Sequence, residues 1–375
     1  MPSDLSRRKA VQAVTLMPLA AAQGSAANSA VSIGLIGAGN RGTFLAQTVL
    51  RHTPGRITAI CDYFPEKIAE AKKALPAPDA REFRDYRDML ASNVDAVIIA
   101  TPVFLHAEHF EAAVKAGKHV YIEKPAAASV ADCKRIQRIA DAADRKYEIA
   151  FGFQRRYGQV YQRAKQAQDS GAIGKVKWAN VQFLKGEGAK QRPGNPPTNE
   201  VEKIKNWGAW KDLSGDLIVE NNIHLIDVMN WFVGARPLKA YGTGGQTVPR
   251  YGDCRDNVQV TYEYPDRVKG QLLGTILAPP FFRDVKETFF GEKGVIETSE
   301  THWRHYRGKD DVIYEKSPRN ITSDSLAAFV DRIATGKPDN TGVRGVESTL
   351  TAILGRMAMD LGREVTWEEM MRSEG

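Results

Sequence analysis

The chain has 375 residues with a formal net charge of +7, 42% hydrophobic content and three cysteines. That length supports two domains and a sizeable core, and its basic residues alternate with acids in no long block, which excludes a nucleic-acid footprint. Cys61, Cys133 and Cys254 form neither an even set nor a metal-spaced pair, which argues against a disulfide framework and a structural zinc site.

Residues 1–30 stand apart from the fold. Ser6-Arg7-Arg8-Lys9 precedes a modestly apolar run, Ala10 to Ala22, and then small residues up to Ala30. Paired arginines before a short apolar run resemble a twin-arginine export signal. Ala10 stands where Phe is usual, and Pro18 interrupts the run. The expectation is a periplasmic or secreted protein, or a cytoplasmic one if the segment is only a tail. The run is shorter than the about 20 apolar residues of a membrane span, and nothing later approaches one.

From Val31 to about Gly152, apolar runs alternate with helical patterns. Val31 to Ile36 reads as a buried strand and Asn40 to Leu50 as a helix, with Gly37-Ala38-Gly39-Asn40-Arg41-Gly42 between them. Such a turn lets backbone N–H groups approach a pyrophosphate at a helix N-terminus. The next strand, Arg56 to Cys61, ends at Asp62, about 20 residues past the last glycine, where a carboxylate binds an adenosine ribose. The expected cofactor is NAD; Asp62 would repel the 2′-phosphate of NADP. Strands at Asp95 to Ala100, His119 to Ile122 and Tyr147 to Phe151, with helices at Ala107 to Ala116 and Val130 to Ala143, complete a doubly wound parallel sheet. This predicts a Rossmann domain over 31–152.

After Tyr157 the texture changes to aromatic and β-branched runs, several of them alternating, as in Val258-Gln259-Val260-Thr261-Tyr262. These predict an α+β domain over 153–320, built on a large open, mostly antiparallel sheet. An open sheet with exposed edges often pairs with a copy of itself, so a homodimer or homotetramer is expected. Gly186 to Lys205 reads as a long polar loop able to lie over a site. Residues 321–375 return to helix: Ser323 or Asp324 caps Leu326 to Thr335, and Val343 to Leu361 follows.

Two places carry chemistry. Glu123-Lys124-Pro125 follows a strand on the edge where doubly wound sheets bind ligands, and a lysine there can steady a developing alkoxide. By position alone a surface lysine in a turn is the better reading. The second place is Val219 to Val233, read as one helix. At about 100° per residue, Glu220, His224, Asp227 and Trp231 share a narrow arc of an otherwise apolar surface. A histidine beside an acid can accept a hydroxyl proton, although a structural hydrogen-bond network would use the same residues.

Taken together, Gly37 to Gly42, Ala100-Thr101-Pro102 with His106, Glu123-Lys124-Pro125, Gly152-Phe153-Gln154-Arg155-Arg156-Tyr157, Glu220 to Asp227, Gly291-Glu292-Lys293-Gly294 and Arg363 to Trp367 resemble the Gfo/Idh/MocA oxidoreductases. The resemblance implies NAD-dependent hydride transfer at a carbinol carbon of a sugar, sugar derivative or glycoside. Lys124 and His224 would flank that carbon, with Glu220 supporting His224. Thr101, Pro102, His106, Glu123 and Gln154 would join Gly37, Gly39, Asn40, Arg41, Gly42 and Asp62 around the cofactor, and Arg156, Tyr157 and Asp227 would meet substrate. Many members carry aspartate where this chain has Glu220. A redox-neutral glycosidase and a sugar- or dinucleotide-sensing protein are the alternatives, and no metal is implied.

Overall fold

The computed structural model describes residues 30–186 and 195–373; the expected export signal and part of the loop after Gly186 lie outside them. Eleven elements alternate through the first part: β1 (Ser32–Ile36), α1 (Asn40–His52), β2 (Arg56–Cys61), α2 (Pro65–Ala74), β3 (Arg81–Phe83), α3 (Tyr86–Leu90), β4 (Ala96–Ile99), α4 (His106–Lys115), β5 (His119–Ile122), α5 (Val130–Ala142) and β6 (Ile149–Phe151). The strands pair in parallel in the order β3-β2-β1-β4-β5-β6. Order reverses between β1 and β4, which opens a crevice at their carboxyl ends.

A short 3-10 turn (Gln154–Tyr157) and α6 (Gln159–Asp169) lead into β7 (Val176–Lys185). Four helices follow: α7 (Glu200–Lys205), α8 (Lys211–Ser214), α9 (Asp216–Glu220) and α10 (Ile223–Val233). The chain then runs through β8 (Lys239–Gly245), β9 (Asn257–Glu263), β10 (Lys269–Thr275), β11 (Arg283–Gly291), β12 (Val295–Thr298), β13 (His302–Tyr306) and β14 (Val312–Lys316). It closes with α11 (Ile321–Ala334), α12 (Gly342–Leu361), β15 (Val365–Thr366) and α13 (Trp367–Arg372). The second sheet has the order β14-β13-β12-β11-β7-β10-β9-β8-β15. Its neighbours are antiparallel except β7 and β10, which are parallel.

Alternation in β9 sends Val258, Val260 and Tyr262 inward while Gln259 and Thr261 face out. The inner face meets α10 and α12. Phe232 of α10 stacks on Phe289 of β11 with ring centres 4.3 Å apart; full burial of one such side chain is worth about 1.5–3 kcal/mol. One continuous core joins Ile99, Ile122 and Phe151 of the first sheet to Ile218 of α9 and to Leu272 and Phe289 of the second sheet. It fixes the first sheet's carboxyl edge against α9 and α10.

Two expectations need correction. The run Val219 to Val233 is not one helix: α9 ends at Glu220 and α10 starts at Ile223. At the break the Asn222 N–H reaches back to the Leu217 carbonyl at 3.1 Å. The Asn221 amide bonds the Glu220 carboxylate and the Asn222 side chain bonds nothing, so the break lies in the backbone itself. The cap of α11 is Asn320, which accepts from the Thr322 N–H at 2.8 Å, while Ser323 and Asp324 lie inside the helix.

Candidate active site

The glycine-rich turn is shaped for a ligand. Gly37 adopts φ +93°, the left-handed region that favours glycine, and its N–H donates to the Cys61 carbonyl at 2.9 Å. A Cβ on Gly42 would lie 1.9 Å from the Gly37 carbonyl oxygen, so only glycine lets α1 pack this close to β1. A Cβ on Gly39 would meet nothing within 4 Å, which leaves an open approach above the turn. Gly39 also provides no side-chain cap to α1, so the first N–H groups from Asn40 onward are available to an anion. Asp62 stands beside them, its two oxygens accepting from the Ala38 N–H at 2.8 Å and the Phe64 N–H at 2.9 Å. Each oxygen keeps acceptor capacity for a ribose hydroxyl. The residues fit a dinucleotide.

At the end of β5, buried Glu123 pairs with Arg41 at 2.7 Å. Lys124, whose bond to Pro125 is cis, turns the other way. Its Nζ donates to the Glu220 carbonyl at 2.6 Å and to Glu220 Oε1 at 3.0 Å. That carbonyl ends α9, and the helix break leaves it for the lysine. Asn221 Nδ2 donates to the remaining Glu220 oxygen at 2.7 Å. The carboxylate expected to support His224 therefore orients Lys124 instead. An ammonium has three donors, so one remains.

His224 lies at the first turn of α10 with its ring edge-on to Phe153, centres 6.2 Å apart. Its Nδ1 is buried without a hydrogen-bond partner. Burial, and then the charges of Lys124, Arg155 and Arg41, hold its pKa well below the ordinary histidine value, which keeps the ring neutral and able to take a proton.

The other expected residues divide. Thr101 and Pro102 sit half-buried at the end of β4, and Thr101 Oγ1 bonds His109 Nδ1 at 3.0 Å. Gln154 is buried with Oε1 unpartnered. With Arg41, Glu300, Thr301, Arg319 and Asn320 it lines a cleft of about 530 Å³. His106 does not fit its expected role: it is 1% exposed, and its nitrogens face the Pro125 and Thr101 carbonyls at 2.8 and 2.9 Å. It braces two loops and has no atom left for a cofactor. Asp227 is likewise enclosed: Arg156 Nε donates to its oxygens at 3.0 and 2.9 Å, and Ser348 Oγ to Oδ1 at 2.7 Å. Arg156 and Tyr157 line a separate cleft of about 250 Å³ with Trp231, Arg332 and Arg344. Phe153 borders that cleft and also touches His224.

Sequence reasoning missed Asn221, which positions Glu220; the Asn-Asn pair inside an apolar helical run was the available signal. Among the described residues no cluster of His, Cys, Asp and Glu could hold a metal ion, and no helix is long and apolar enough to cross a membrane.

Residues 31–151 match the oxidoreductase family with an NAD-binding Rossmann fold, and residues 161–297 match the GFO/IDH/MocA C-terminal domain. Inositol 2-dehydrogenase of Salmonella paratyphi B is 32% identical over 319 residues, covering 82% of this chain and 86% of that protein. The chain belongs to the Gfo/Idh/MocA oxidoreductase family. Myo-inositol 2-dehydrogenase of Thermotoga maritima is 26% identical over 90% of this chain and 99% of its own length. A levoglucosan dehydrogenase solved with NADH shares the fold, with a TM-score of 0.76 at 19% identity over 90% of this chain and 98% of that one. As a Gfo/Idh/MocA member this protein is an NAD-dependent oxidoreductase, and the glycine turn and Asp62 are the groups fitted to hold NAD.

Proposed function

We propose that the protein oxidises a secondary hydroxyl of a cyclic polyol or sugar, or reduces the corresponding ketone. The observation that carries this is the pairing of a spare Lys124 N–H with a neutral His224 at the edge where the dinucleotide crevice opens. His224 takes the hydroxyl proton at Nε2, the nitrogen left open when Nδ1 is buried. Lys124, aimed by Glu220, holds the substrate oxygen as negative charge builds on it. Bound NAD supplies the hydride acceptor. Relatives named for inositol and a fold neighbour named for levoglucosan support a ring bearing several hydroxyls.

Three finer readings accompany this. The exposed pair Trp178 and Phe290, ring centres 6.4 Å apart on the outer face of the second sheet, supports a homodimer or homotetramer formed through that face. Arg7-Arg8 supports twin-arginine export of the folded protein, and an exported enzyme requires a cofactor that stays bound. The domain boundary near 152 follows the change from parallel to mixed sheet, and that near 320 the passage from β14 to the closing helices.

The test is product mass spectrometry on a panel of inositols, aldoses and glycosides, with NADH absorbance followed in parallel. A keto product is expected, with NADH forming on the protein as the hydroxyl is oxidised. Turnover of none of these, by a protein that binds NADH, would overturn the reading.

A further inference from the structure

The segment between β7 and α9 reaches over to the first sheet. α7 ends at Lys205, whose ammonium meets Glu66 Oε1 at 3.0 Å and lies 4.6 Å from the centre of the Phe64 ring. The Phe64 N–H is one of the two that hold the Asp62 carboxylate. Lys205 thus stands against the loop that presents the ribose-binding acid. Farther along, α8 packs on the 3-10 turn Val103–Leu105, which follows Thr101-Pro102. One contact lies on the β2 side of the crevice and the other on the β4 side. A dinucleotide lies between those two loops in a doubly wound sheet.

The far side of the segment is tied to the second sheet and its helices. Tyr251 OH donates to Asn206 Oδ1 at 3.0 Å, the Lys211 N–H to Asp253 Oδ1 at 2.7 Å, and Lys211 Nζ pairs with Asp360 at 3.1 Å. A Cβ on Gly252 would overlap the Ala209 carbonyl at 2.3 Å, so the backbones meet directly. Anchorage is therefore firm on one side and light on the other, where Lys205 and Glu66 are 47% and 50% exposed. Exposed pairs are weak and screened by salt.

We propose that residues 200–214 form a clasp over the adenosine half of the dinucleotide crevice, with Lys205 on Glu66 and Phe64 as its latch and slow cofactor release as the result. This rests on the NAD reading and adds a residue that governs how long the cofactor stays. Slow release would suit a protein that must keep its NAD through many turnovers.

The experiment is stopped-flow fluorescence of NADH release from the full chain, with excess NAD as displacer and no sugar present. Lys205→Glu, which turns attraction into repulsion, should raise the release rate about tenfold at low salt, and Lys205→Ala about threefold. Combining Lys205→Glu with Glu66→Lys should return the rate to within about twofold of wild type. Raising salt from about 0.05 to 0.5 M should speed wild-type release and leave Lys205→Ala nearly unchanged. Unchanged release in Lys205→Glu, or a reversed pair no slower than Lys205→Glu alone, overturns the clasp while leaving the NAD reading intact. Wild-type protein that binds no NADH overturns both.

Discussion

Two polar groupings sit about one helical turn apart along α9 and α10, built from the same kinds of residue and finished differently. Around Asp227 every partner is present: Arg156 meets both carboxylate oxygens, Ser348 adds a third donor, and the acid is fully enclosed. Around His224 the partners run short. Nδ1 has none, the ring is held neutral, and Lys124 spends two of three donors on Glu220. A buried charge pair with complete bonding holds helices in place. A grouping with spare donors and acceptors has capacity for a reacting hydroxyl. Residue type does not separate the two roles, but unfilled bonding capacity does.

The comparison breaks most visibly at Asp227. Asp227→Ala leaves the Arg156 guanidinium without its counter-charge next to Trp231, and removing one partner of a buried pair costs about 3–5 kcal/mol. Denaturant unfolding should show a loss of that size, and a shift under 1 kcal/mol would mean that Asp227 is not structural. Lys124→Ala and His224→Ala should do the reverse, keeping the fold while lowering kcat at least about a hundredfold, close to 2.7 kcal/mol of barrier. NADH fluorescence titration should be nearly unaffected in both. Near-normal turnover of either variant removes that residue from the chemistry.

The groupings also differ in how far the sequence disclosed them. The glycine turn, Asp62 and Glu123-Lys124-Pro125 are contiguous or regularly spaced, and their setting of strand, turn and helix is local, so their places were legible. The alternation of Val258, Val260 and Tyr262 likewise revealed the inward face of the second sheet. What closes Asp227 is remote, since Arg156 lies 71 residues away and Ser348 121, and no periodicity links such positions. The break at Asn221-Asn222 was hidden for another reason. It is a backbone event, the Asn222 N–H bonding the Leu217 carbonyl five residues back, and the apolar pattern continues undisturbed on both sides. α7 was missed although it carries a capping pair, Asn199 receiving the Glu202 N–H at 2.9 Å and Glu202 receiving the Thr198 N–H at 2.8 Å. That signal was masked by the prolines and glycines around it.

Acid should sharpen the contrast further. His224 is depressed below its unfolded value, so at neutral pH it costs the fold nothing. As pH falls through about 6.5 the unfolded chain takes up a proton that the native ring refuses, and stability is lost by at most about 1.4 kcal/mol per pH unit for each such group. Burial also lowers His106, and it lowers His109 to about 4, so wild type loses stability through several rings. Subtracting His224→Ala isolates one of them. Its unfolding free energy should fall less than wild type's between about pH 7.5 and 5.5. Equal falls would show that the His224 ring titrates normally.

Asp62 should give the smallest effect, because it acts on binding and leaves the reacting groups untouched. Its oxygens each hold one backbone N–H and offer what remains to the ribose. Asp62→Ala therefore removes an acceptor from the ligand and leaves the Ala38 and Phe64 N–H groups without their carboxylate partner. NADH affinity should fall about three- to tenfold, under 1.4 kcal/mol. Affinity for NADPH should fall less or rise, since the negative charge that opposes a 2′-phosphate is gone. Fluorescence titration of both cofactors against both proteins measures the four constants. Wild-type protein binding NADPH more tightly than NADH would contradict the role given to Asp62. An unchanged ratio of the two in the variant would show that discrimination lies elsewhere on the β2 loop, where exposed Tyr63 has the Arg84 guanidinium 5.8 Å from its ring.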